Sequence, residues 1–209
     1  MYVFRPARPD ELRIIYDMQN VPFRDVVYAN YLPRYPIFEQ NTLYGIKMGR
    51  EQYYIFEVDG RPDGFVQYVK YEKEWNIIVW GKWLNTLIYL GLKTAYDDLG
   101  CPKVTSAIRQ NNKRVCKAYE KFRIRKTGQE MVCYQQGSFL GYIATANLIY
   151  YEMTREEFEE RREWLRKNSF EVTIMPPDPV PSSEPAPAPE PSAASESSPA
   201  PDSSPTSAQ

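Results

Sequence analysis

Histidine is absent from all 209 residues, so any proton transfer this chain performs must use carboxylates, tyrosines, water or a substrate amine. Ser-His-Asp and Cys-His nucleophilic sites and the usual zinc sites are excluded with it. Cys101, Cys116 and Cys133 are odd in number and lack metal spacing. They are expected to be reduced thiols, and no metal site is expected. The residue that remains conspicuous is Tyr119. It lies in the stretch 103–128, KVTSAIRQNNKRVCKAYEKFRIRKTG, which reads as a strand, an Asn-capped helix and a second strand. Val104 and Ile108 bracket the β-type run, and Asn111 or Asn112 offers a side-chain oxygen to the first free N–H groups of the helix. Val115, Ala118, Tyr119 and Phe122 follow at helical spacing, leaving Lys113, Arg114, Lys117 and Lys121 on the wet face. Tyr119 thus puts a hydroxyl on a buried stripe, either as a proton donor or as a core tyrosine with a satisfied hydroxyl.

The elements that must position this segment follow from pattern. Tyr2 to Arg5 reads as a first strand, and Pro9-Asp10-Glu11 opens a helix through Leu12, Ile15 and Met18 or Gln19. Residues 20 to 50 read as irregular or short-helical, dense in tyrosine (Tyr28, Tyr31, Tyr35, Tyr44) and punctuated by Pro22, Pro33 and Pro36. Tyr53 to Tyr71 is a hairpin turned at Asp59-Gly60, because a two-residue loop wants positive φ. Trp75 to Trp80 is a further strand. A helix from about Trp83 to Leu99 turns Leu84, Leu87, Ile88, Leu92 and Ala95 inward and stops at Gly100. Strands are expected near Arg125 to Gln135 and Ala146 to Glu152. Thr154-Arg-Glu-Glu157 is a capping box opening a charged helix to about Lys167.

The run from Asn112 to Phe122, with its seven-residue step from Asn112 to Tyr119, resembles the N-x-x-A-I-x-x-Y-E-K-L-G-F signature of GNAT N-acetyltransferases. The hairpin YYIFEVDGRPDGFVQYVKY is similar to that family's central hairpin. The resemblance covers roughly residues 1 to 168. It implies an α/β (α+β) GNAT fold: a mixed, mostly antiparallel central sheet flanked by helices, with residues 1–170 as the acetyltransferase-like domain. It also implies acetyl-CoA as co-substrate and a primary amine, on a small molecule or a protein, as acceptor. The cofactor would be held by Val79, Trp80, Gly81, Lys82 and Thr86 in the loop before the second helix, with Asn112 and Tyr119. Tyr119 would protonate the leaving thiolate. Asn112 would hold the pantetheine arm, or serve as a plain helix cap. Glu57, or Glu72 and Glu74, would be the base acting through water. The tyrosines of 28 to 44 would line the acceptor, or pack over the sheet.

Within the cofactor loop, Gly81, Lys82 and Thr86 match the W-G-K-G-I-G-T form, but Trp83 and Asn85 stand where the family has glycines. Arg123 stands where it has the Gly of L-G-F. Glycine lets phosphate oxygens approach the main chain, whereas an indole adds bulk. These departures support a second reading, a GNAT-fold interaction or assembly protein without catalysis, similar to those among phage virion-associated proteins.

From Pro176 to Gln209 the chain is almost entirely Pro, Ser, Ala, Glu and Asp. Residues 171–209 are therefore expected to form a disordered acidic tail. The five acids from Pro176 onward, subtracted from 27, leave 22 against 26 Lys and Arg in the body, a charge of about +4. That suits a CoA phosphate and is too weak to argue for nucleic acid. No leader-like apolar run follows Met1 and no segment has the length of a membrane span, so a cytoplasmic protein without membrane contact is expected, or a virion-associated one under the second reading. The tail or the 155–167 helix is a candidate surface for a protein partner. The alternating charges of that helix are equally those of a solvated face.

Overall fold

The computed structural model describes residues 1–21, 32–72, 74–136, 142–169 and 172–175. The expected tail beyond Pro176, together with Tyr28 and Tyr31, lies outside these residues, as does the thiol of Cys133. Eight strands form one sheet: β1 (Tyr2–Pro6), β2 (Glu51–Val58), β3 (Arg61–Tyr71), β4 (Glu74–Gly81), β5 (Lys103–Arg109), β6 (Arg125–Gln136), β7 (Tyr142–Thr154) and β8 (Thr173–Ile174). Their spatial order is β6-β7-β5-β4-β3-β2-β1-β8. Pairing is antiparallel except between β4 and β5 and between β1 and β8, so the sheet is mixed and mostly antiparallel as expected. Five α-helices among the described residues flank it: α1 (Leu12–Gln19), α2 (Tyr35–Lys47), α3 (Leu84–Asp97), α4 (Lys113–Lys121) and α5 (Arg155–Lys167). Among the described residues no helix is long and apolar enough to cross a membrane.

Strand alternation divides the apolar residues between two faces. On one face Tyr54, Phe56, Val66, Tyr68 and Ile77 pack under α3, α4 and α5. On the other, Tyr53, Ile55 and Phe65 meet Leu12, Ile15 and Phe38 of α1 and α2. The five inward positions expected for α3 are all buried, and the burial extends round most of that helix.

Local signals account for several boundaries. Asp59 and Gly60 take φ of 51° and 74°, the pair of positive values that a tight hairpin needs. At α5, Thr154 Oγ1 accepts from Glu157 N at 3.3 Å, and Glu157 Oε2 accepts from Thr154 N at 2.9 Å. The stretch 20–50 departs from expectation, since α2 occupies thirteen of its residues. Pro36 lies in the first turn, where its missing N–H removes no helical bond, so it starts the helix rather than breaking it. A second departure is β8, which lies past residue 170 and pairs with β1, Met175 N donating to Phe4 O at 2.9 Å.

Arg123 shows a cost of departing from glycine. Ile124 N bonds Tyr119 O at 3.0 Å and Arg123 N bonds Glu120 O at 2.9 Å, closing α4 in a left-handed turn with Arg123 at φ 54°. A side chain there is strained by roughly 1–2 kcal/mol, partly offset by the unfolded-state entropy of glycine. Arg123→Gly is therefore expected to stabilise the protein by about 0.5–1 kcal/mol. That corresponds to a rise of roughly 1–4 °C in a calorimetric melt, and a fall would show that the arginine side chain supplies more than the turn loses.

Candidate active site

The site begins where β4 and β5 part. These parallel strands pair only at Trp75↔Val104 and Asn76↔Thr105. Beyond that point β5 continues along β7, while β4 continues along β3 to Gly81. At the fork, Ser106 Oγ donates to Ile77 O at 3.0 Å, and Tyr119 Oη lies 3.0 Å from Ser106 Oγ. Because the single serine proton goes to the carbonyl, the tyrosine is the donor of the second bond. Tyr119 is 2% exposed, and burial pushes its phenol up to about 12. Its ring lies 5.2 Å from that of Tyr151.

The C=O and N–H of a strand residue point to the same side. With Ile77 O aimed at the fork, the corresponding edge at Val79 faces the opening. A cleft of about 330 Å³ occupies this opening. It is lined by Val79, Trp80, Gly81 and Lys82 from the end of β4 and by Asn112 and Arg114 from the start of α4. Five of the residues expected to hold a cofactor thus surround one space. Asn112 Oδ1 also accepts from Val115 N at 3.4 Å, so it caps α4 as well as lining the cleft. Thr86, 2% exposed, lies instead in an adjoining cleft of about 380 Å³.

That second cleft lies at the start of α3 and is bordered by Lys82, Arg114, Lys117 and Lys121. The first turn of α3 has no side-chain cap and no acidic residue, and the first bond within it is Leu87 N to Trp83 O. The main-chain N–H groups of Leu84 and Asn85 therefore lie ahead of the first helical bond, an arrangement that favours an anion. Trp83 packs edge-on against Tyr2 at 6.0 Å. Gly81 is required by space as well as conformation, since its φ is 148° and a Cβ there would lie 2.7 Å from Leu87 Cδ1. Lys82 Nζ is 3.3 Å from Asp63 Oδ1, and Arg114 donates to Lys82 O.

The expected base candidates lie apart from this cleft. Glu57 is bound by Arg5, whose guanidinium also holds Glu11 at 2.7 Å. Glu72 sits in the β3–β4 turn at φ 46°. It precedes β4, whereas Gly81 ends it, a separation of about 23 Å along an eight-residue strand. Glu74 pairs with Lys103 at 2.8 Å. Glu72 and Glu74 do line a larger groove of about 770 Å³, on which Glu51 also lies. Of the aromatic residues expected near an acceptor, Tyr35 donates to Glu39 at 2.7 Å and stacks under Arg13, while Tyr44 is exposed.

Ser106 and Glu51 were not among the expected site residues. For Ser106 a signal existed, because alternation from Val104 to Ile108 places it on the inward side. For Glu51 the signal was Gly45, a helix-interior glycine that gives up roughly 1 kcal/mol relative to alanine. A Cβ on Gly45 would lie 3.0 Å from the Glu51 carboxyl group. Cys101 and Cys116 are free and buried, and burial raises both thiols, Cys101 to about 12. Neither is poised as a nucleophile.

This architecture, with its forked parallel pair and adjoining cleft, is the GNAT acetyltransferase fold. The chain is similar to the spermidine N-acetyltransferase of Vibrio cholerae in complex with CoA and spermine, with a TM-score of 0.64 and 13% identity over 76% of this chain and 98% of that one. A dodecameric structure of the same bacterium's enzyme matches with a TM-score of 0.59 and 14% identity, over 77% and 97% of the two chains. No family profile and no curated protein matches the sequence. At this identity the likeness concerns the fold.

Proposed function

We propose that this chain is an acetyl-CoA-dependent N-acetyltransferase acting on a primary amine. The observation that carries the reading is the cleft at the β4–β5 fork, where Val79, Trp80, Gly81, Lys82 and Asn112 meet beside the uncapped start of α3. Bound acetyl-CoA would supply an activated acetyl thioester. The chain's part is to hold and orient it. Lys82, Arg114, Lys117 and Lys121 provide positive charge for phosphates, and the main-chain N–H groups of Leu84 and Asn85 at the start of α3 provide directed donors. The exposed edge of β4 at Val79 offers main-chain hydrogen bonds to an extended amide-bearing arm. Tyr119 holds a proton at the apex of the fork. A small amine is favoured as acceptor because the Vibrio cholerae structure of the same fold is described with CoA and spermine. The reaction then belongs in the cytoplasm.

Full-length protein is expected to bind acetyl-CoA with a Kd near micromolar in calorimetry. Arg114→Ala removes a charge-assisted bond worth about 1.5–3 kcal/mol, so it should weaken binding roughly ten- to a hundredfold. No binding at millimolar acetyl-CoA would overturn the enzyme reading. It would favour a catalytically silent interaction or assembly protein, the reading to which Trp83 and Asn85 point.

A further inference from the structure

On the α1–α2 face of the sheet, a pocket of about 280 Å³ lies against β4 from the side opposite the fork. Asn76 and Ile78 line it, whereas Ile77 belongs to the core of the other face. The pocket and the fork therefore share β4 as a wall. Among the described residues, Glu51 is its one Asp, Glu, Lys or Arg side chain.

The Glu51 carboxylate is half used. Oε2 accepts from Tyr53 Oη at 2.9 Å and from Gln67 Nε2 at 3.3 Å, while Gln67 Nε2 also donates to Tyr53 Oη at 2.7 Å. Oε1 lies on the side of Gly45, and among the described residues it receives no hydrogen bond and Glu51 has no cationic partner. Burial raises the carboxyl group above its ordinary value, against the two hydrogen bonds that lower it. The pocket holds a second unmatched group. Gln19 is 6% exposed, and its Nε2 has no partner among the described residues. A half-turn of that amide would present its carbonyl oxygen instead. Gln19 is buried, whereas Glu51 is half-buried where the pocket meets the larger groove that Gly45 also lines. An unpaired carboxylate at that junction, in a pocket otherwise lined by uncharged side chains, calls for a ligand that brings positive charge and N–H donors.

We propose that this pocket binds the protonated terminal amino group of a slender aliphatic amine, with Glu51 selecting the charge and Gln19 and Gln67 fixing the head. The volume sits at the lower limit of small-molecule sites, which suits an alkylammonium end better than a peptide. Access is through the 770 Å³ groove, which shares Asn41, Glu51, Val69 and Tyr71 with the pocket. Arg50, Lys70, Glu72, Glu74 and Lys103 line that groove, Lys103 being paired with Glu74. On the acetyltransferase reading, on which this step rests, the pocket is where the acceptor is held next to the strand that borders the thioester cleft.

The test is calorimetry on the full chain without acetyl-CoA, using n-butylamine as probe and n-butanol as its uncharged counterpart. At pH 8 butylamine should bind at least tenfold more tightly than butanol. Glu51→Gln should weaken it at least tenfold, and Gln19→Leu, which removes only a buried unmatched amide and should fold well, several-fold. Binding should fade as pH falls and Glu51 takes up its proton, because the amine stays charged while the carboxylate, whose tendency to protonate burial increases, is neutralised. Equal affinity for butanol, or unchanged affinity in both variants, would overturn the assignment and leave an apolar cavity. Protein that binds acetyl-CoA but not butylamine would sink this pocket alone. Protein that binds butylamine but not acetyl-CoA would sink the acetyltransferase reading and keep the pocket.

Discussion

Tyr119→Phe is expected to lower the turnover of the proposed acetyl transfer roughly ten- to a thousandfold, with little change in acetyl-CoA affinity. The phenol is 2% exposed at the apex of the β4–β5 fork, and its value of about 12 keeps it protonated throughout the neutral range. It can give a proton and cannot serve as a base. Phenylalanine preserves the ring contact with Tyr151 and removes only the hydroxyl, so a loss confined to kcat would locate the defect in the chemical step. The hydroxyl already has an acceptor in Ser106 Oγ, which defines the competing outcome. Wild-type turnover in the variant would reduce Tyr119 to a structural prop, and only the roughly 1 kcal/mol of its hydrogen bond would disappear from the melt.

Ser106→Ala is expected to be the costlier change for stability. Its hydroxyl joins two buried groups, Ile77 O and Tyr119 Oη, and losing it leaves both without that partner. Each such orphan costs about 1–3 kcal/mol, so the variant should lose roughly 2–5 kcal/mol in a urea titration. Adding Tyr119→Phe removes one of the two orphans. The double variant should therefore be less destabilised than the sum of the singles, by up to about the cost of one buried hydroxyl. Strict additivity would mean that water or a local shift satisfies both groups after the serine is gone.

Residues whose environment is made by near neighbours in the chain are legible in the sequence itself. The inward stripe of α3, the positive-φ pair Asp59-Gly60, the Thr154 capping box and the Asn112 cap all follow from spacing within a few residues. What escapes such a reading depends on distant partners. Glu57 reads as a free carboxylate until Arg5, 52 positions away, closes on it. Glu51 reads as a strand start until Tyr53, Gln67 and Gly45 surround its carboxyl group. Pro36 misleads because a helix tolerates proline in its first turn, and which turn is first is itself a tertiary outcome. The strand β8 has only two residues, and its place is set by the free edge of β1 rather than by its own composition.

The brief contact between β4 and β5 also bears on how the molecule comes apart. Five strands, β8-β1-β2-β3-β4, form one continuous ladder and three, β5-β7-β6, another, and the seam joining them is two residue pairs long with one serine bridge beyond it. In main-chain pairing this is the sheet's thinnest line, and its two sides are held together mainly by the core they share under α3, α4 and α5. A ligand seated in the fork, as proposed, would supply rungs that the two strands lack, so its binding would stiffen the sheet along this line and raise the melting temperature.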